Sequence, residues 1–202
     1  MRDLKAQLLE QLSVMATAEV VAVVFAVLYL LLAIRQSIFC WYCAGISTAL
    51  YIYLYFATNL YMESLLNVFY FFMAIYGWQK WRAGKTGNGF LRVSVWPLKH
   101  HVSAILAITS ASFVSGYVLT TYTDAAFPYI DSATTFTAMW ATFLVARKVL
   151  ENWWYWLVVD IAYVFIYWSK DLQLTALLFG VYVIMIPFGL ISWTRSWREE
   201  RA

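Results

Sequence analysis

The stretch AMWATFLVARKVLENW, residues 138–153, has an earlier counterpart in AVLYLLLAIRQSIFCW, residues 26–41. Sliding the chain against itself by 112 positions pairs Ala26 with Ala138, Leu32 with Leu144, Arg35 with Arg147 and Trp41 with Trp153. The register then holds without a gap. Tyr51 meets Tyr163, Tyr55 meets Tyr167, Tyr70 meets Tyr182, Met73 meets Met185, Gly77 meets Gly189 and Trp81 meets Trp193. Apolar bias inflates coincidences between leucines, but it does not align Arg, Trp, Tyr and Gly in one ungapped run. The chain therefore holds two copies of one unit.

Each copy is too apolar for water. Of the 202 residues, 63% are hydrophobic and 12% charged, against roughly 45–50% and 25% in a soluble domain. A membrane-crossing helix takes about 20 mostly apolar residues. Seven segments qualify, at roughly 18–34, 38–57, 61–80, 102–121, 130–147, 152–169 and 173–194. The expected class is an all-α integral membrane protein. Three spans fall in each copy, and an odd number would leave the second copy upside down if it followed directly. The extra span at 102–121 restores the direction, giving a parallel 3+1+3 arrangement whose halves are related by an axis along the membrane normal. Such folds place the substrate near the midplane where the repeats meet.

The units read along the chain are a segment at 1–17, a first three-helix repeat at 18–81, a loop and linker helix at 82–129, a second repeat at 130–194 and a tail at 195–202. Residues 1–17 lack a compact apolar stretch and a small-residue cleavage site, so they are expected to lie in the membrane interface as a helix. KWRAGKTGNG, residues 80–89, reads as a loop broken by glycines. With seven spans, Arg35, Lys80, Arg82, Lys85, Arg92, Lys99, Arg147, Lys148, Arg195, Arg198 and Arg201 share one side, against Arg2, Lys5 and Lys170 on the other. Excess Lys and Arg mark the cytoplasmic side, so the N-terminus is expected outside and the C-terminus inside. The net charge of +3 then reflects topology, so membrane lipids are expected as partners and nucleic acid is not. Cys40 and Cys43 form a single C-x-x-C, simpler to read as small residues at a helix interface than as a metal or redox pair.

The polar residues inside the spans carry the functional argument. Trp153, Trp156, Asp160, Tyr163 and Tyr167 recur at alternating steps of three and four, which makes one stripe of the sixth span. The repeat gives Trp41, Ala44, Thr48, Tyr51 and Tyr55 on the second span. Glu63, Asn67, Tyr70, Gly77 and Trp81 share a face of the third, and Thr175, Phe179, Tyr182, Gly189 and Trp193 a face of the seventh. A charge at mid-membrane costs at least about 2.5–3.5 kcal/mol, so Asp160 is a functional candidate by default. The bland alternative is a protonated carboxyl, or one bonded to a neighbouring helix. Trp153 suits an interfacial belt as well as a pocket. Trp156, one turn deeper, favours the pocket, and Trp193 at the end of the last span is expected to matter less.

Indoles beside one carboxylate suit a flat cationic ring, with stacking and cation–π attraction worth roughly 0.5–2 kcal/mol per good contact. They do not suit an anion, because no Lys or Arg falls in the middle of a span and a phosphate would lack a partner. No intramembrane His, no Cys beside a base and no Gly-rich phosphate cradle is present, so no enzyme, metal or cofactor is expected. The candidate site residues are Trp41, Thr48, Glu63, Asn67, Tyr70, Trp153, Trp156, Asp160 and Tyr163.

The run from Tyr122 to Tyr182, with Arg147-Lys148, Glu151-Asn152-Trp153 and the W-x-x-W-x-x-x-D motif at Trp153, Trp156 and Asp160, resembles PnuC-type nicotinamide riboside transporters. Their sixth span carries W-x-x-W-x-x-x-N/D. Residues 50–81, with Leu60, Tyr61, Glu63, Leu66, Asn67, Tyr70 and the GWQKW ending, are similar too. The resemblance covers nearly the whole chain after about residue 17. It implies a SWEET-like 3+1+3 fold, a homotrimer, and uncoupled facilitated diffusion of a vitamin precursor across the bacterial inner membrane. Phosphorylation inside the cell then traps the substrate. The motif ends in Asp where some members have Asn. Thiamine is also a flat cation, so a thiamine or other B-vitamin carrier of the same fold is the alternative, and a SWEET-type sugar carrier is a more distant one.

Overall fold

The structure is a computed structural model that describes residues 17–57, 61–86, 91–123, 127–169, 171 and 173–199. Its helices are α1 (Thr17–Ile34), α2 (Cys40–Ala57), α3 (Tyr61–Thr86), α4 (Leu98–Tyr122), α5 (Pro128–Ala146), α6 (Asn152–Ser169) and α7 (Gln173–Glu199). Each overlaps one of the seven apolar segments of the sequence. Two boundaries differ. α3 runs through to Thr86, so most of the segment expected as a loop is helical, and cations such as Lys80 and Arg82 suit the C-terminal end of a helix. α4 begins directly after Pro97, which cannot donate a backbone hydrogen bond, and so takes in His100 and His101. The interfacial helix expected at the N-terminus lies outside the described residues except for its last position.

By length and composition, α1, α2, α4 and the Thr175–Glu199 part of α7 can cross a membrane. The other three helices also bury polar side chains. Asn67, Ser132, Thr134, Asn152 and Asp160 are all buried. The hydroxyls cost little, because Thr134, Thr137 and Thr142 donate to the carbonyls of Ile130, Ala133 and Ala138 one turn back.

α1 packs on α2, α2 on α3, α3 on α5, α5 on α6, α6 on α7, and α7 back on α1. Six helices thus close a ring, and α4 lies outside it against α5. The two halves repeat one another in detail. Trp41 meets Trp81 edge-to-face at 5.5 Å and 86°, and Trp153 meets Trp193 at 5.5 Å and 89°. The indole of Trp41 occupies the space a Cβ on Gly77 would need, and Trp153 does the same at Gly189. The turns that join α1 to α2 and α5 to α6 place Gln36 and Lys148 in the left-handed region, at φ 54° and 51°. They close with Ser37 N–H on Leu32 O and Val149 N–H on Leu144 O, both at 2.9 Å.

Counterparts also touch one another. Lys148 Nζ donates to Gln36 Oε1 at 3.0 Å across a separation of 112 residues, and the rings of Trp81 and Trp193 lie 6.3 Å apart. A residue meeting its own counterpart is the contact pattern that two-fold packing produces. The main buried cluster gathers at this end of the ring and includes Ala33, Cys40, Trp41, Trp81, Trp153 and Trp193. The segment before α4 straps it: Ser94 N–H donates to Lys148 O at 2.9 Å and Leu150 N–H to Ser94 O at 2.8 Å. Trp96 N–H donates to the Glu151 carboxylate at 3.2 Å. Cys40 and Cys43 are both buried free thiols, with Cys40 in this cluster.

Candidate functional site

α6 begins at the strapped end, and its first turns project Asn152, Trp153 and Trp156 inward, followed one turn later by Asp160. All four line a cavity of about 160 Å³ enclosed with α1, α5 and α7. α1 contributes Tyr29, α5 contributes Val145, and α7 contributes Phe179, Tyr182 and Ile186. The volume is below the roughly 300–1,000 Å³ of drug-sized sites. It suits a single flat ring rather than a whole nucleoside.

Trp153 forms the floor. It is 2% exposed, wedged between Gly189 and Trp193, so an interfacial belt does not describe it. Trp193, expected to be marginal, is fully buried and donates its indole N–H to Ala33 O at 3.0 Å. Its part is to lock α7 onto α1 beneath the cavity. Trp156 lies higher on the same wall, packed against the buried cluster. Asp160 is 4% exposed and makes no hydrogen bond among the described residues. A carboxylate so placed is expensive in any protein interior, and it is available to a ligand.

Above Asp160 the wall is phenolic. Tyr163 packs on Phe179 at 4.8 Å, and Tyr167 stacks on Phe179 at 5.4 Å and 3°. Tyr70 of α3 lies within electrostatic reach of Tyr163 and Tyr29. Glu63 lies within the same reach of Tyr55, Tyr70, Tyr163 and Tyr167. Tyr163, Tyr70 and Glu63 are not among the residues that line the cavity.

The remaining candidates sit elsewhere. Trp41 packs on Trp81 and opens onto a separate groove between α2 and α3. Thr48 donates to Ala44 O and Gly45 O in its own helix. Asn67 donates to Glu63 O, also one turn back. The cavity is therefore built from the second half plus α1, and not evenly from both copies.

Asn152, Tyr29, Phe179 and Tyr182 are wall residues absent from the set expected from sequence. Phe179 and Tyr182 share the sequence stripe with Gly189 and Trp193, so their face was legible. Asn152 had a fainter signal: it stands where the first repeat has Cys40, a polar for an apolar residue at a buried position.

Among the described residues no Lys or Arg lines the cavity. Lys148 contacts Gln36 and the face of Trp81, at 4.6 Å, at the strapped end. Among the described residues no group of three or more His, Cys, Asp or Glu side chains gathers as a metal site. The arrangement can bind a planar cation between aromatic faces and offer it one carboxylate.

The profile of a family described as nicotinamide mononucleotide transporter matches residues 16–195. The chain is similar to the nicotinamide riboside transporter PnuC of Escherichia coli (strain K12), at 23% identity over 90% of this chain and 87% of that protein, and equally to PnuC of Shigella flexneri. Its fold is that of the vitamin B3 transporter PnuC seen by crystallography, with a TM-score of 0.71 over 90% of this chain and 82% of the other, at 22% identity. The apolar spans of four of the described helices and the profile match together make this chain a multi-pass membrane protein that belongs to the nicotinamide mononucleotide transporter family, as the W-x-x-W-x-x-x-D motif led us to expect.

Proposed function

We propose that the protein carries nicotinamide riboside across the bacterial inner membrane by uncoupled facilitated diffusion, and that phosphorylation inside the cell traps the product. The observation that carries this reading is Asp160, buried without a hydrogen-bond partner in a cavity walled by Trp153, Trp156, Tyr29 and Tyr182. A pyridinium ring supplies the missing positive charge and two aromatic faces. A mononucleotide would add a phosphate near a cavity whose described wall holds a carboxylate and no Lys or Arg, which is unfavourable.

In this reading the two halves are related by an axis along the membrane normal in a 3+1+3 arrangement, supported by the contacts between Gln36 and Lys148 and between Trp81 and Trp193. The basic, strapped end faces the cytoplasm, which leaves the N-terminus outside. The strap and the tryptophan floor block that end, so release inward requires both to part. The assembly is a homotrimer, which light scattering on the purified protein checks.

Titration of the purified protein with nicotinamide riboside, nicotinamide mononucleotide, thiamine and glucose tests the substrate. The riboside is expected to bind at least tenfold more tightly than the other three. Preference for thiamine or glucose overturns the assignment.

A further inference from the structure

Asn152 has no role in the reading above, yet it is the most thoroughly buried polar residue on the cavity wall, at 0% exposure. Its amide orientation is set by Nδ2, which donates to Val149 O at 2.6 Å in the α5–α6 turn. Oδ1 is left with no partner. Native structures seldom leave a buried acceptor unpaired, and those that do ask for an explanation. Trp153, the next residue and also part of the wall, has a buried indole N–H that is likewise unpaired. Asn152 and Trp153, which both line this ring-sized cavity, thus carry one unpaired acceptor and one unpaired donor. At the matching position of the first repeat stands Cys40, equally buried, so packing there does not require an amide.

We propose that Asn152 is the specificity-determining residue that reads the ring substituent of the ligand, accepting a hydrogen bond from a carboxamide N–H and rejecting a carboxylate. This rests on the cavity being the substrate site. The chemistry is complementary on both atoms. A primary carboxamide offers an N–H to Asn152 Oδ1 and a carbonyl oxygen to Trp153 Nε1. A carboxylate has only lone pairs to set against Oδ1, and it adds a negative charge to a cavity that already holds Asp160.

The test is calorimetric titration of the purified protein with three ribosides that share the pyridinium ring and differ in one group: the carboxamide, the methyl ketone and the carboxylate. The methyl ketone keeps the carbonyl and the charge and lacks only the N–H. Wild type is expected to bind the carboxamide about tenfold more tightly than the ketone, and the carboxylate more weakly than either. Asn152→Cys, which copies the residue of the first repeat, is expected to lower carboxamide affinity to that of the ketone while leaving the ketone unchanged. Equal binding of carboxamide and ketone by wild type overturns the proposal, and this comparison needs no variant to fold. So does a cysteine variant that keeps the full preference. Failure of wild type to bind any of the three overturns the substrate reading instead, and Trp156→Ala distinguishes the cases, since it should weaken all three alike.

Discussion

Trp156 and Asp160 lie on the same wall one helical turn apart, and they are expected to fail in different ways. Trp156→Ala should weaken nicotinamide riboside by roughly 1–3 kcal/mol, about tenfold to more than a hundredfold, with Trp156→Phe retaining part of it. Trp154, which is 55% exposed, serves as the control, and Trp154→Ala should leave affinity unchanged. Asp160→Asn keeps the shape and removes the charge, so calorimetry should show a larger loss for the cationic riboside than for its uncharged reduced form. Asp160→Leu removes the charge and the acceptor together, and should abolish binding of the cationic riboside. That Trp153, Trp156 and Asp160 share one cavity wall was legible from their steps of three and four along the helix. Trp41, Thr48 and Asn67 were less so. Periodicity gives the face of a helix, but which face meets a cavity depends on how neighbouring helices close, and here α1 rather than α2 or α3 completes the wall.

The helices themselves were readable from hydropathy, because a bilayer fixes span length and leaves little room for irregular backbone. Their ends were harder. Glycines at 84 and 87 suggest a break that α3 ignores up to Thr86, and Pro97 sets the start of α4 more firmly than any apolar count. What periodicity alone does not reveal is why two glycines sit at matched positions. Each makes room for an indole, so Gly77→Ala and Gly189→Ala would drive a methyl group into Trp41 and Trp153. Both variants should lose about 1–3 kcal/mol through overpacking, seen as lower thermal unfolding temperatures in detergent. Gly45 has open space around its Cβ position, so Gly45→Ala should hold stability or raise it slightly, by up to about 1 kcal/mol. A comparable loss at Gly45 would mean that helix context, and not the indole contact, sets the requirement.

At the level of the whole molecule, the offset of 112 residues was the strongest signal in the sequence, and it reappears as paired turns, paired tryptophans and contacts between counterparts. The asymmetry between the halves was legible only in part: Asp160 stands where the first repeat has Thr48, and Asn152 where it has Cys40. The cavity is lined by the second half, with α1 alone of the first half reaching it. Among the described residues the cavity wall holds one carboxylate, Asp160, and its other titratable groups are the phenols of Tyr29 and Tyr182, so it offers no second carboxylate, His or Lys as a relay by which a proton or sodium gradient would drive uptake. The direct measurement is uptake of labelled nicotinamide riboside into liposomes holding the purified protein, with and without an imposed pH or sodium gradient. The expected result is equilibration to the same internal concentration in every case, never above the external one. Accumulation beyond equilibrium under either gradient would contradict the account.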